Sequence, residues 1–261
     1  MKIVIATQSA PIYLPYVLDE FAHLLKMTNH TIDGILIFSS LNKNGFLHEI
    51  KTRLNYYGPK AFLKYTIYIL KNKFLSYLFN LIPAIKPHSA ANVIKKYNLR
   101  QIKTVSINDD SFINYIKVNQ IDLIISIACP KIFKKEILQA SRLGCINYHT
   151  ALLPKNRGRQ PLFWALLNNE KETGITIHKI NRNIDDGSII VQQKIKIDPQ
   201  DSLHNLYLKT TKLAPALLIT ALNKIAQDEN YLPNDAPKAT HHSFPTASDS
   251  KLFRQKGKKF F

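Results

Sequence analysis

Short apolar runs that alternate with stretches of helical spacing constrain this chain more than any other feature. Val4, Ile5 and Ala6, following Met1-Lys2-Ile3, form one run, and Gly34-Ile35-Leu36-Ile37-Phe38 form another, both bounded by Ser, Thr or Asn. Such runs read as buried strands. Between them, residues 15–25 set Val17, Leu18, Phe21, Leu24 and Leu25 at helical spacing. The alternation returns with a strand-like run over residues 121–127, a helical stretch over 131–140 and a second run over 145–149. Strand, helix and strand in this rhythm require right-handed crossovers, so the chain is expected to build an α/β, Rossmann-like, open and mostly parallel sheet flanked by helices.

After Gly158 the pattern changes. Residues 174–180 and 188–197 are β-rich and separated by a turn-like segment, so the sheet should gain an antiparallel extension. Residues 202–227 read as a helix, with Ser202 as a plausible N-cap. The tail from Asp228 holds Pro233, Pro237 and Pro245. The expected organisation is a main α/β unit over residues 1–227, with an insertion at about 46–102, and a C-terminal extension over 228–261 that forms no second folded domain.

With 261 residues and 29.9 kDa, the chain is long enough for one full core. Two cysteines are too few for a disulfide framework, no secretory leader opens the chain, and Lys71, Asn80 and Pro83 break the best apolar runs, so a cytoplasmic protein without a membrane span is expected. The net charge of +18 is the outlier. Residues 51–108 hold eleven Lys and Arg and no acid, and residues 251–261 hold five more; removing these 16 from 36 leaves 20 bases against 18 acids. After the breaker Gly58-Pro59, residues 60–81 read as a helix, on which Lys60, Lys64 and Lys71 fall within about 40°. Either this is a core-packed insertion with one solvated basic face, or a basic amphipathic surface for peripheral contact with an anionic membrane.

The densest polar stretch begins at a strand end. Asn147 and His149 are two apart, so on a strand they share a face and can converge on one substrate atom. The carboxyl ends of strands in an open α/β sheet are where ligands bind. On spacing alone, a core histidine and a turn-forming asparagine remain a sufficient reading. A second cluster, Asn181-Arg182-Asn183-Ile184-Asp185-Asp186-Gly187, is on its own a turn. A carboxylate brought beside His149 would fix its tautomer and favour its protonated form, and either Asp185 or Asp186 could supply it.

Three segments, Gly144-Cys145-Ile146-Asn147-Tyr148-His149-Thr150-Ala151-Leu152-Leu153-Pro154-Lys155-Asn156-Arg157-Gly158, Glu172-Thr173-Gly174-Ile175-Thr176-Ile177-His178 and Ile184-Asp185-Asp186-Gly187, resemble the formyltransferase family that uses 10-formyltetrahydrofolate. That family includes enzymes acting on methionyl-tRNA, glycinamide ribonucleotide and amino sugars. The resemblance runs from about Ile121 to Gln193 and implies the formyltransferase fold, with 10-formyltetrahydrofolate as formyl donor and no metal. It implies that Asn147 stabilises the oxyanion, His149 is the general acid and base, and Asp185 orients and charges the histidine. It implies a pterin slot between Cys129, Lys131, Ile132 and Phe133 on one side and Asn181, Arg182, Asn183, Ile184 and Asp185 on the other. Arg157 and Arg159 are the expected acceptor contacts. Cys129 reads as a small strand-end residue rather than a nucleophile. Thr150-Ala151 stands where relatives often show Pro then Ser, and Asp186 occupies a position not generally acidic among them.

Only about 68 residues follow Gln193, which argues against a folded tRNA-binding barrel like that of methionyl-tRNA formyltransferase. The expected acceptor is a small-molecule amine, most simply an amino sugar linked to a nucleotide or lipid in surface polysaccharide or lipid biosynthesis. Alternatives are formyltetrahydrofolate hydrolysis, a methionyl-tRNA formyltransferase-like activity, and a non-catalytic basic module binding nucleic acid. The intact trio of Asn147, His149 and Asp185 opposes the module, since binding alone does not require it; the sequence leaves the oligomeric state open.

Overall fold

The computed structural model describes residues 1–39, 45–82 and 85–261. In chain order, β1 (Lys2–Gln8), α1 (Leu14–Leu25) and β2 (Thr31–Phe38) lead into three helices, α2 (Phe46–Tyr57), α3 (Pro59–Leu78) and α4 (Ala90–Lys96). There follow β3 (Arg100–Ile102), α5 (Asp110–Val118), β4 (Leu123–Ile127), α6 (Lys135–Leu138), β5 (Cys145–His149) and β6 (Arg157–Gly158). The chain continues through α7 (Pro161–Leu167), β7 (Glu172–Lys179), β8 (Ile189–Lys196), α8 (Leu203–Ala226), β9 (His241–His242) and α9 (Ala247–Gln255).

Seven strands form one sheet in the order β3-β2-β1-β4-β5-β7-β8. The first five are parallel, and β7 pairs antiparallel with β5 and β8. Strands β1, β4 and β5 are buried on both faces and accordingly read as near-continuous apolar runs. One face is covered by α1, α4 and α8, where Val17, Phe21, Val93 and Leu218 pack on Ile5, Ile125 and Ile177. The other is covered by α5 and α6, through Phe112, Ile116 and Ile137. The order reverses between β1 and β4, which puts the ligand crevice of such a sheet beside the carboxyl end of β4.

Helix α8 starts where expected, because the Ser202 hydroxyl accepts the Asn205 N–H at 3.1 Å. The helical stretch expected over residues 131–140 shrinks to α6. Asn108 holds the preceding loop open, its amide donating to the Ile132 carbonyl at 2.9 Å and its Oδ1 accepting the Lys134 N–H at 2.8 Å.

The insertion is smaller than the expected 46–102. Helix α4 packs on α1 and β3 is the edge strand of the sheet, so residues 90–102 belong to the main α/β unit. The insertion packs on the body through Tyr56 of α2, with Tyr57 and Ala61 against the same core cluster, while no residue of α3 is fully buried and its lysines are exposed. Pro83, expected to break the apolar run after it, lies outside the described residues. The C-terminal extension folds back onto the body: β9 pairs with β6, and Phe253 and Phe260 are buried in a third cluster with Tyr56, Phe163 and Leu206.

Candidate active site

Strand β5 presents Asn147 and His149 on one face, and the antiparallel register sets His178 of β7 directly across from Asn147. The loop after β7 turns back so that Asp185 reaches both strand residues. Its Oδ2 lies 3.6 Å from His149 Nδ1, and its Oδ1 accepts the Asn147 amide at 3.3 Å. The same Oδ2 accepts the Gly158 N–H at 2.8 Å. Asp185 sits in the left-handed region at φ 49°, which Asp and Asn tolerate better than most residues. Gly187 closes the turn, because a Cβ there would stand 1.9 Å from the Lys179 carbonyl oxygen.

His149 Nε2 lies 2.9 Å from the Asn156 carbonyl, which can only accept. Nε2 therefore carries the proton of the neutral ring, and Nδ1 is the basic atom, facing Asp185. Burial is the largest influence on His149 and pushes its pKa below the ordinary 6.5; Asp185 opposes this, His178 adds to it and the Asn156 carbonyl opposes it. Burial also disfavours the Asp185 carboxylate. His149, the His178 contact and the Gly158 N–H outweigh that and hold Asp185 well below the usual carboxylate range. The arrangement at neutral pH is a neutral imidazole beside a fixed negative charge. In a histidine NMR titration of the protein, the His149 ring, identified by its loss in His149→Gln, should have a midpoint below 6.5. Asp185→Asn should lower it further by removing the charge that favours the imidazolium. A midpoint above 6.5 would contradict the burial argument.

Three polar residues outside the expected set complete the site. His178 donates from Nδ1 to the Lys179 carbonyl at 2.7 Å, and its Nε2 lies 3.2 Å from the Asn147 amide nitrogen and 3.5 Å from Asp185 Oδ1. Alternation along residues 174–178 put His178 on the face of Thr176, but only strand pairing brings that face to Asn147. Asn234 donates to the carbonyls of Asp185 and Gly187 at 2.9 and 3.0 Å. Thr240 Oγ1 accepts the Asn156 N–H at 2.8 Å, steadying the segment that fixes the His149 tautomer. Both belong to the Pro-containing tail, which carries no periodic signal.

Arg157 is placed differently from the expected acceptor contact. It is buried, and its guanidinium is committed to Asp186 Oδ1 at 2.5 Å and to Asn234 Oδ1 at 2.8 Å. Asp186 thus anchors the loop to Arg157 while Asp185 faces His149. Asn234→Ala should cost about 1–3 kcal/mol, since it leaves part of a buried guanidinium unpaired and two loop carbonyls unbonded. An unchanged urea midpoint with unchanged slope would contradict that role for Asn234. Arg159 is exposed beside this cluster, with its guanidinium 5.0 Å from the Phe244 ring, and Trp164 stacks on His242 nearby at 4.5 Å.

The expected slot residues fall into two kinds. Cys129 and Ile180, which open the two loops, both pack against the second core cluster. Phe133 is buried there and anchors its loop, whereas Lys131 and Ile132 are exposed. Asn181, Arg182, Asn183 and Ile184 are exposed, and Asn181 Oδ1 accepts the Asn183 N–H at 2.9 Å. Burial pushes the Cys129 thiol up to about 11, so it stays protonated at neutral pH and is no nucleophile. Among the described residues, no group of three or more His, Cys, Asp or Glu could hold a metal ion.

The family model described as "Formyl transferase" matches residues 80–222. The methionyl-tRNA formyltransferase of Kosmotoga olearia is 37% identical over 167 residues, covering 64% of this chain and 54% of that protein. The chain spans about half the length of the curated relatives it matches. A sugar N-formyltransferase from Shewanella sp. superposes with a TM-score of 0.59 at 22% identity, covering 97% of this chain and 87% of that one. The formyltransferase PseJ from Anoxybacillus kamchatkensis, solved with UDP-4,6-dideoxy-4-formamido-L-AltNAc and tetrahydrofolate, superposes with a TM-score of 0.54 at 18% identity, covering 98% and 90%. At these identities the structural likeness concerns the fold.

Proposed function

Because the chain belongs to the formyl transferase family, we propose that it transfers a formyl group from 10-formyltetrahydrofolate to a primary amine carried on a nucleotide- or lipid-linked sugar. The observation that carries this reading is the convergence of three groups from two distant segments: Asp185, on the loop after β7, lies 3.6 Å from His149 Nδ1 and 3.3 Å from the Asn147 amide of β5. A binding site has no need for a buried base set beside both a carboxylate and an amide donor.

The two loops suit a flat heteroaromatic donor. Exposed Ile132 and Ile184, one on each loop, offer apolar edges, and the exposed polar residues 181–183 offer hydrogen-bonding groups. Cys129, Lys131, Ile132, Asn181, Arg182, Asn183, Ile184 and Asp185 would hold it, with Phe133 fixing its loop from the core. The donor supplies an activated formyl carbon. His149 Nδ1 takes a proton from the attacking amine and returns it to the departing nitrogen. Asp185 keeps its charge and stabilises the imidazolium between those transfers. The Asn147 amide N–H exchanges its long bond to Asp185 for the oxygen on which negative charge develops. Removing it, as Asn147→Ala, should cost about 3–4 kcal/mol of transition-state stabilisation, read as kcat/KM, and a loss under twofold would contradict the oxyanion role.

A sugar-linked acceptor is supported by the neighbours that span nearly the whole chain, one described as a sugar N-formyltransferase and one holding a formamido-sugar nucleotide. It is also supported by exposed Arg159, next in the chain to the Gly158 N–H that binds Asp185, since a guanidinium suits a phosphate. The relationship to methionyl-tRNA formyltransferases at 37% identity favours a second reading, with aminoacyl-tRNA as acceptor. A panel of nucleotide-linked amino sugars, free amino sugars and methionyl-tRNA, each incubated with 10-formyltetrahydrofolate, separates them. Gain of one formyl mass on a nucleotide-linked sugar supports the first reading. Gain on the tRNA alone replaces it with the second, and release of formate without an acceptor assigns hydrolysis.

A further inference from the structure

Helix α3 carries a continuous apolar stripe on its solvent side. Its other side holds the protein by mixed contacts: Ala61 packs against the third core cluster, Asn72 Oδ1 lies 2.8 Å from His88 Nδ1, Ser76 Oγ donates to Ser89 Oγ at 2.9 Å, and the Asn92 amide donates to the Ser76 backbone carbonyl at 3.2 Å. Tyr65 stacks on Tyr57 at 4.6 Å and completes this inner contact. Phe62, Ile69, Leu75, Leu78 and Phe79 are half-buried, whereas a second apolar set faces outward. Leu63, Ile67, Leu70, Phe74 and Tyr77, with Leu81 just beyond the helix end, are between 55% and 64% exposed. Their spacing of four and three residues keeps them within a stripe about 80° wide.

Lysines border the stripe on both sides. At 100° per residue, Lys60, Lys64 and Lys71 flank one edge and Lys73 the other, all exposed. No acid occurs between residues 51 and 108 to neutralise them, and the nearest before that, Glu49, is paired with Arg53 at 2.6 Å. This charge pattern selects the occupant. A second copy docked on the same stripe would bring lysines against lysines with no carboxylate to pair them. A surface of anionic headgroups over hydrocarbon matches both features, since long lysine side chains reach headgroups while Leu, Ile and Phe enter the acyl boundary. No helix among the described residues is long and apolar enough to cross a membrane, so the contact lies in the plane of the interface.

We propose that α3 is a docking surface for an anionic lipid bilayer, its outward apolar stripe lying in the membrane plane with Lys60, Lys64 and Lys71 along one edge and Lys73 on the other. The geometry holds the rest of the molecule against the bilayer by the anchors on the inner face of α3. The test is co-sedimentation of the full chain with vesicles of phosphatidylglycerol and phosphatidylcholine in equal parts, and with vesicles of phosphatidylcholine alone. Binding to the first and not the second is expected, weakening as salt is raised. Lys60→Glu, Lys64→Glu and Lys71→Glu combined should lower partitioning about tenfold or more, and so should Leu70→Asn with Phe74→Asn. These positions face solvent, and an unchanged thermal unfolding curve shows that the variants keep the fold. Equal partitioning to both vesicles, no partitioning to either, or insensitivity to both sets of substitutions overturns the proposal. So does a dimer in sedimentation velocity that Leu70→Asn with Phe74→Asn dissociates, which would make the stripe a self-interface.

Discussion

Replacing His149 by alanine is expected to lower kcat for formyl transfer by about 10²–10⁴-fold, the range that a positioned acid and base supplies. The imidazole is buried, its Nε2 is tied to the Asn156 carbonyl, and its Nδ1 is left basic toward Asp185, so it is the base that the site holds in place. Because burial keeps the ring neutral at pH 7, the protein is ready to accept a proton without prior ionisation. Donor binding, read by tetrahydrofolate titration, should change little, since the proposed slot draws on residues 129–133 and 181–185. A wild-type rate in His149→Ala would remove the acid–base step from the account. Parallel loss of donor affinity and rate would make His149 a binding group instead.

Asp185→Asn is expected to have an effect of the same order, about 10²–10⁴-fold on kcat. The substitution is nearly isosteric, and asparagine tolerates the left-handed backbone found at this position, so the turn itself is spared. What disappears is the charge opposite His149 Nδ1 and one acceptor for the Asn147 amide. The expected signature is a lower rate together with a lowered His149 midpoint. Asp186→Asn serves as the contrast. Its carboxylate pairs with Arg157 and faces away from His149, so its loss should weaken loop stability more than the rate. Equal rate losses in the two variants would mean that the loop acts only as a scaffold.

The sheet, α8 and the pairing of Asn147 with His149 were legible because each depends on residues near one another in the chain. A strand sets i and i+2 on one face, and Ser202 caps the helix that follows it. What escaped depends on contacts between distant segments. His178 joins Asn147 only through the antiparallel register of β5 and β7. Asn234 and Thr240 act through side-chain bonds to backbone 47 to 84 residues away in sequence, which leave no periodic trace. Arg157, expected as an acceptor contact, is instead enclosed by Asp186 and Asn234, which come from segments far along the chain. In α3, helical spacing predicted the helix but not its orientation, because periodicity alone does not say which face the protein covers.

The measurement that bears most directly on the central claim is a single-turnover transfer with donor carrying ¹³C in its formyl group. A nucleotide-linked amino sugar serves as acceptor, and wild type is compared with His149→Ala. The account predicts that the label appears as formamide on the sugar nitrogen with wild type. It further predicts that the step slows by at least about 10²-fold in the variant while bound donor stays constant. Label that remains on the donor with the wild-type protein, or that reaches the amine equally fast without His149, would contradict it.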